Sequence, residues 1–103
     1  MQDFILAKRE EIAELCRQHH VRRLAVFGSA TRDDFDPARS DVDIIVEFED
    51  DIGSDTYFDN KTSLIESLRN AFGRNVDLLT WKSVRNPYLL REVESTYEMI
   101  YAA

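Results

Sequence analysis

The segment Asp41 to Phe48, DVDIIVEF, constrains the fold more tightly than any other part of this chain. Its β-branched residues predict a strand over Val42–Phe48, and the two-residue period of a strand puts Asp41 and Asp43 on one face and Val42, Ile44 and Val46 on the other. One face therefore belongs to a packed core while the other carries two carboxylates a pleat apart. Neighbouring carboxylates repel, so the pairing is costly unless that face is solvated or a cation sits between them. Hard oxygen donors suit Mg²⁺, which typically combines one or two carboxylates with substrate phosphates and water. An exposed polar strand face is the competing reading of D-x-D standing alone.

The rest of the chain supplies what such a strand needs. Phe4, Ile5, Ile12, Leu15 and Cys16 recur at helical spacing and predict an amphipathic helix from residue 3 to about residue 20, with Asp3 as its cap. Leu24–Phe27 reads as a first, buried strand that runs into a tight turn at Gly28. Residues 29–40 are polar and contain Pro37, which predicts a loop with one helical turn near residues 30–33. Leu64, Ile65, Leu68 and Phe72 mark a second helix stopped by Gly73, and Val76–Thr80 a third strand with Trp81 at its end. After the break at Pro87, the stripe Leu89, Leu90, Val93, Tyr97, Ile100 and Tyr101 predicts a closing helix. This order predicts an α/β fold with a three-stranded mixed sheet flanked by helices, built as one domain over residues 1–103.

Composition removes several function classes. With 44% hydrophobic and 32% charged residues the chain is globular in type. No apolar run approaches the ~20 residues of a membrane span and no secretory leader is recognisable, so a cytoplasmic location is expected. The single Cys16, even with His19 and His20 nearby, cannot complete a four-ligand zinc site. Both histidines read as solvent-facing at a helix end, and Trp81 as core or interface. Tyr97 and Tyr101 fit either a partner-binding stripe or packing onto the sheet. A net charge of −7 disfavours direct nucleic-acid binding. The acidity is local: residues 33–59 hold eleven acids against one base, Arg39, whereas the remainder is net +3. The run Glu49–Asp51 reads as a solvated loop.

Two further features converge on the Asp41/Asp43 face. Gly28-Ser29 follows a strand, so its backbone amides and the Ser29 hydroxyl can be presented to a phosphate, although the pair alone also suits an ordinary turn. Asp77 lies between Val76 and Leu78, and an acid within an apolar strand calls for a partner. If the second and third strands are neighbours, Asp77 stands beside the pair and completes a three-carboxylate site able to hold two cations. A surface aspartate at a strand end is the rival reading.

The stretch FGSATRDDFDPARSDVDIIV, Phe27 to Val46, resembles the signature of the polymerase-beta-like nucleotidyltransferase superfamily: G-S, a spacer, D-x-D on a strand, and a third acid on a later strand. Length and element order are similar to those of the minimal nucleotidyltransferases (MNT), often paired with HEPN-domain toxins. The resemblance implies that Gly28 and Ser29 form the nucleotide-binding turn and that Arg32 contacts phosphate. It further implies that Asp41, Asp43 and Asp77 bind two Mg²⁺ and act in catalysis. Two departures stand out: a Ser29-to-Asp41 spacer about one residue longer than usual, placed near Pro37 to Arg39, and Asp33 where many relatives have glycine. The implied activity is Mg²⁺-dependent transfer of AMP from ATP to a hydroxyl, tyrosine in the leading reading, of a HEPN ribonuclease toxin, which makes the chain an antitoxin. The alternatives are neutralisation by contact alone, and nucleotidyl transfer to a small molecule or RNA held by a separate subunit.

Overall fold

A computed structural model describes residues 3–31, 36, 41–49 and 53–103. Along the chain it forms α1 (Asp3–Ala7), α2 (Arg9–Gln18), β1 (Val21–Phe27), a 3₁₀ turn (Gly28–Thr31) and β2 (Val42–Phe48). There follow α3 (Ser54–Phe72), β3 (Val76–Thr80), a second 3₁₀ turn (Trp81–Ser83), α4 (Pro87–Thr96) and β4 (Glu98–Ala102). The strands join in one mixed sheet in the order β3-β2-β1-β4. β2 runs antiparallel to β1 and parallel to β3, and β4 runs antiparallel to β1.

The alternation in β2 is realised as a two-sided sheet. Val42, Ile44 and Val46 are fully buried with Leu24 and Val26 of β1 against Ile5, Ile12, Cys16, Leu64 and Leu68 of the first three helices. On the opposite face Ala25, Phe27 and Ile45 pack with Val93 of α4, flanked by Leu79, Trp81, Leu89 and Met99. Burying a side chain of this size contributes about 1.5–3 kcal/mol, so two apolar layers on one sheet account for the order of the domain centre. Asp43 and Asp77 belong to the second face, at the end of the sheet where β2 and β3 begin.

The sheet has four strands, not three, because the C-terminal stripe divides. Asn86 Oδ1 accepts from the Tyr88 and Leu89 amides at 2.9 and 3.4 Å, and Pro87 occupies the first turn, so α4 starts where a break was expected. It ends at Thr96, and Tyr97 is extended at φ −62°, ψ 143°. Residues 98–102 then pair along β1. Val93, Tyr97, Ile100 and Tyr101 satisfy helical spacing, but the outer edge of β1 needs a partner for its amides and carbonyls, and that demand wins.

Other boundaries shift for similar reasons. The first helix divides at Lys8, and Asp3 lies inside the first turn of α1, where its charge complements the helix dipole, rather than capping it. The first strand begins at Val21, three residues before the apolar run, and α3 begins at Ser54, ten residues before its buried stripe. Gly73 ends α3 at φ +65°, with its amide donating to the Arg69 carbonyl at 2.9 Å. The expected helical turn near residue 30 is the 3₁₀ turn Gly28–Thr31; Asp33, Pro37 and Arg39 lie outside the described residues.

His19 is buried rather than solvent-facing. Its Nδ1 is 2.7 Å from the Leu15 carbonyl and its Nε2 3.1 Å from Ser63 Oγ, because α3 packs across the end of α2. His20 takes φ +58° in the tight turn into β1, where its carbonyl accepts from the Glu49 amide at 2.8 Å. Trp81 packs on the second face, stacked by Arg23 at 3.8 Å and meeting the Tyr97 ring edge-on at 6.4 Å. No described helix is long and apolar enough to cross a membrane.

Candidate active site

The site is built where three chain segments meet at one end of the sheet. β1 ends at Phe27, which is in register with Asp43 of β2, and Asp43 is in register with Asp77 of β3. Register partners in a sheet share a face, so the two carboxylates stand side by side across the β2–β3 seam. Asp41 precedes β2 by one residue and is half-buried.

Gly28 follows Phe27 at φ +69°, a conformation that a side chain would strain. There is a second reason for glycine: an added Cβ would stand 2.9 Å from Asp43 Oδ2 and 3.5 Å from Glu92 Oε1. The turn backbone is thus seated directly against the Asp43 carboxylate. Both peptide groups of Gly28 are tied down. Its amide donates to Thr96 Oγ1 at 3.0 Å, and its carbonyl accepts from Thr31 Oγ1 at 2.7 Å. Ser29 is half-buried in the same turn.

A cleft of about 390 Å³ opens here, lined by Phe27, Asp43, Asp77, Leu78, Leu79, Leu89 and Glu92. It combines an apolar wall with carboxylates converging from β2, β3 and α4. Asp77 is exposed into this region, so it does not depend on a buried partner as its place in an apolar strand suggested. A smaller cavity of about 150 Å³ lies near the far end of β2, among Val46, Phe48, Tyr57 and Lys82, away from these acids.

Of the expected site residues, Gly28, Ser29, Asp43 and Asp77 are brought together, with Asp41 just upstream; Arg32 lies outside the described residues. Sequence reasoning missed Glu92 and Thr96. They are four apart on α4, hence on one helix face, but that spacing carries no signal until α4 is known to lie beside the glycine turn.

The donor set suits Mg²⁺ in a particular way. The groups are hard carboxylate oxygens, and Gly28 lets the turn backbone approach the Asp43 carboxylate where a side chain would collide with it. Among the described residues no three acidic, histidine or cysteine groups form a ready-made metal cluster. An open site with one or two carboxylates, completed by phosphate oxygens and water, is how Mg²⁺ commonly binds.

Comparison with known proteins bears on the family and the fold. The nucleotidyltransferase domain family matches residues 9–100. The chain is 36% identical over 99 residues to a Methanocaldococcus jannaschii protein named "Putative protein adenylyltransferase MJ1379", covering 88% of this chain and 94% of that one. A solved structure titled "Structure of putative minimal nucleotidyltransferase" superposes with a TM-score of 0.75 at 27% identity, over 94% of this chain and 95% of the other. The fold is also that of a chain in the structure of tri-AMPylated Shewanella oneidensis HEPN toxin in complex with MNT antitoxin, with a TM-score of 0.65 at 20% identity, over 95% of this chain and 72% of that one. From its glycine turn, its paired aspartates and the match across nearly its whole length, this chain belongs to the nucleotidyltransferase domain family and is a nucleotidyltransferase of the minimal type.

Proposed function

We propose that residues 1–103 work as one minimal nucleotidyltransferase domain that transfers AMP from ATP to a hydroxyl, tyrosine in this reading, of a HEPN-type ribonuclease toxin, silencing it as an antitoxin. The observation that carries the reading is the seating of the Gly28 turn against Asp43, with Asp77 beside it in register at the same end of the sheet. The relative named as a protein adenylyltransferase and the fold shared with an MNT antitoxin support protein as the acceptor class.

In this mechanism Asp41, Asp43 and Asp77 would hold two Mg²⁺, which when bound would supply Lewis acidity at the triphosphate and ease ionisation of the acceptor hydroxyl. Ser29, through its hydroxyl and amide, orients the triphosphate, and Arg32 contacts phosphate oxygens. Asp77, exposed on β3, faces the acceptor, whereas Asp41 and Asp43 serve the nucleotide. The acceptor oxygen bonds to the α-phosphorus, the bond from that phosphorus to the bridging oxygen breaks, the hydroxyl proton passes to solvent water, and pyrophosphate leaves. Phe27, Leu78, Leu79 and Leu89 give the cleft an apolar wall.

The test is intact-mass analysis of the co-purified partner after incubation with Mg²⁺ and ATP, using wild-type protein and the Asp41→Asn/Asp43→Asn double variant. A gain of one or more AMP units with wild type alone is expected. No gain, with the partner still bound and inhibited by both proteins, would assign neutralisation to contact. Transfer to a small molecule or RNA but not to the partner would move the acceptor class.

A further inference from the structure

We propose that Thr96, the last residue of α4, is a positioning residue that sets the nucleotide-binding turn by holding the Gly28 amide, and so leaves phosphate binding to Ser29. The proposal rests on the functional reading above and adds a residue that the glycine-and-aspartate pattern does not contain. Thr96 Oγ1 lies 2.7 Å from the Glu92 carbonyl and 3.0 Å from the Gly28 amide nitrogen. A threonine hydroxyl has one proton. That proton is committed to the carbonyl four residues back, so toward Gly28 the oxygen can only accept. The geometry is therefore directional, and α4 holds the turn through a side chain whose own rotamer is locked.

The consequence for the turn follows from peptide planarity. Thr96 orients the peptide between Phe27 and Gly28, and the Thr31 hydroxyl, 2.7 Å from the Gly28 carbonyl, orients the next one. In a trans peptide the carbonyl and the following amide point in opposite directions. Holding the Gly28 carbonyl against Thr31 therefore turns the Ser29 amide outward from that bond. The Gly28 amide is already satisfied and is not a phosphate donor, which corrects the expectation that both residues of the Gly-Ser pair offer amides. Gly28 serves by its positive φ and its missing side chain. With the same Glu92 whose carbonyl anchors Thr96 also lining the cleft, α4 becomes a wall of the site as well as a cover for the sheet.

Full-length Thr96→Val and Thr96→Ser variants test this, the first keeping the shape without the oxygen and the second keeping the oxygen. Amide hydrogen exchange followed by NMR reads the anchor without ligand, and calorimetric titration with Mg²⁺ and ATP reads its effect on binding. In Thr96→Val the Gly28 amide should exchange at least about tenfold faster and the Kd for ATP should rise about five- to tenfold, since a donor left without its partner destabilises this conformation of the turn. Thr96→Ser should restore both. Unchanged Gly28 exchange in Thr96→Val would overturn the anchor, and unchanged ATP affinity beside faster exchange would overturn its role in positioning. Equal weakening by Thr96→Ser would show that packing, not the hydroxyl, matters. Failure of wild-type protein to bind ATP with Mg²⁺ would overturn the functional reading itself, while the exchange comparison would still judge the anchor.

Discussion

Replacing Gly28 by alanine strains the backbone and crowds the site at once, and Gly73 allows the two effects to be separated. Both glycines are left-handed, at φ +69° and +65°, so both substitutions meet the same backbone penalty. That penalty is of order 1–2 kcal/mol, offset in part by the smaller entropy of an unfolded chain with alanine, leaving a net loss of about 1 kcal/mol. For a domain of this size such a loss lowers Tm by roughly 4–8 °C. The surroundings differ. At Gly73 an added Cβ meets nothing within 4 Å, whereas at Gly28 it stands 2.9 Å from Asp43 Oδ2. To reach ordinary contact the Asp43 carboxylate must retreat by at least about 0.5 Å, or the turn must lift away from it. Displacing a ligand-holding group on that scale is expected to weaken binding of ATP with Mg²⁺ about tenfold or more. Thermal unfolding and calorimetric titration of Gly28→Ala, Gly73→Ala and wild type give the comparison. Both variants should lose stability, Gly28→Ala by more because the crowding adds to the shared backbone penalty, and only Gly28→Ala should lose affinity. Wild-type affinity in Gly28→Ala would refute the reasoning, and so would an equal affinity loss in Gly73→Ala, which would trace the effect to general destabilisation.

Other consequences are equally open to measurement. Asp77→Asn should reduce transfer by a larger factor than it weakens ATP binding, because the exposed Asp77 is assigned to the acceptor side; equal loss of both would make it a general metal holder. Burial pushes the Cys16 thiol from an ordinary value of 9.0 up to about 12. A thiol-specific disulfide reagent at pH 8 should therefore leave native protein unlabelled and react once denaturant is added; rapid native labelling would contradict the packing of α2 against α3. The same shift makes stability decline with pH. The unfolded thiol ionises above its ordinary value while the folded one stays protonated, so this contribution is intact below pH 9 and lost progressively toward about pH 12. An alkaline unfolding series in which Cys16→Ala removes part of that decline would check the sign.

The parts of this protein that could be read from residues alone are those where one local rule acts without competition. Val42–Phe48 and Val76–Thr80 form strands with the bounds that their apolar runs suggested, and Gly73 ends α3 in the left-handed conformation expected of it. The likeness to nucleotidyltransferases rested on a short pattern of glycine, serine and aspartates, and the family match extends it over residues 9–100. Those residues could be singled out because phosphate and Mg²⁺ demand particular atoms, and few residue types provide them.

What tertiary structure decided is whatever depended on a neighbour distant in sequence. Residues 98–102 carry a pattern compatible with a helix, yet the open edge of β1 draws them into the sheet. Nothing around His19 announces a hydroxyl, but α3 brings Ser63 to its ring across forty-four positions of chain. Thr96 is sixty-eight residues from Gly28, and no periodicity links them. Local sequence encodes which residues can donate, accept or pack. Only when hydrophobic burial has set the helices on the two faces of the sheet are those capacities matched into pairs, because a hydrogen bond is worth forming only where both partners have already been brought within about 3 Å.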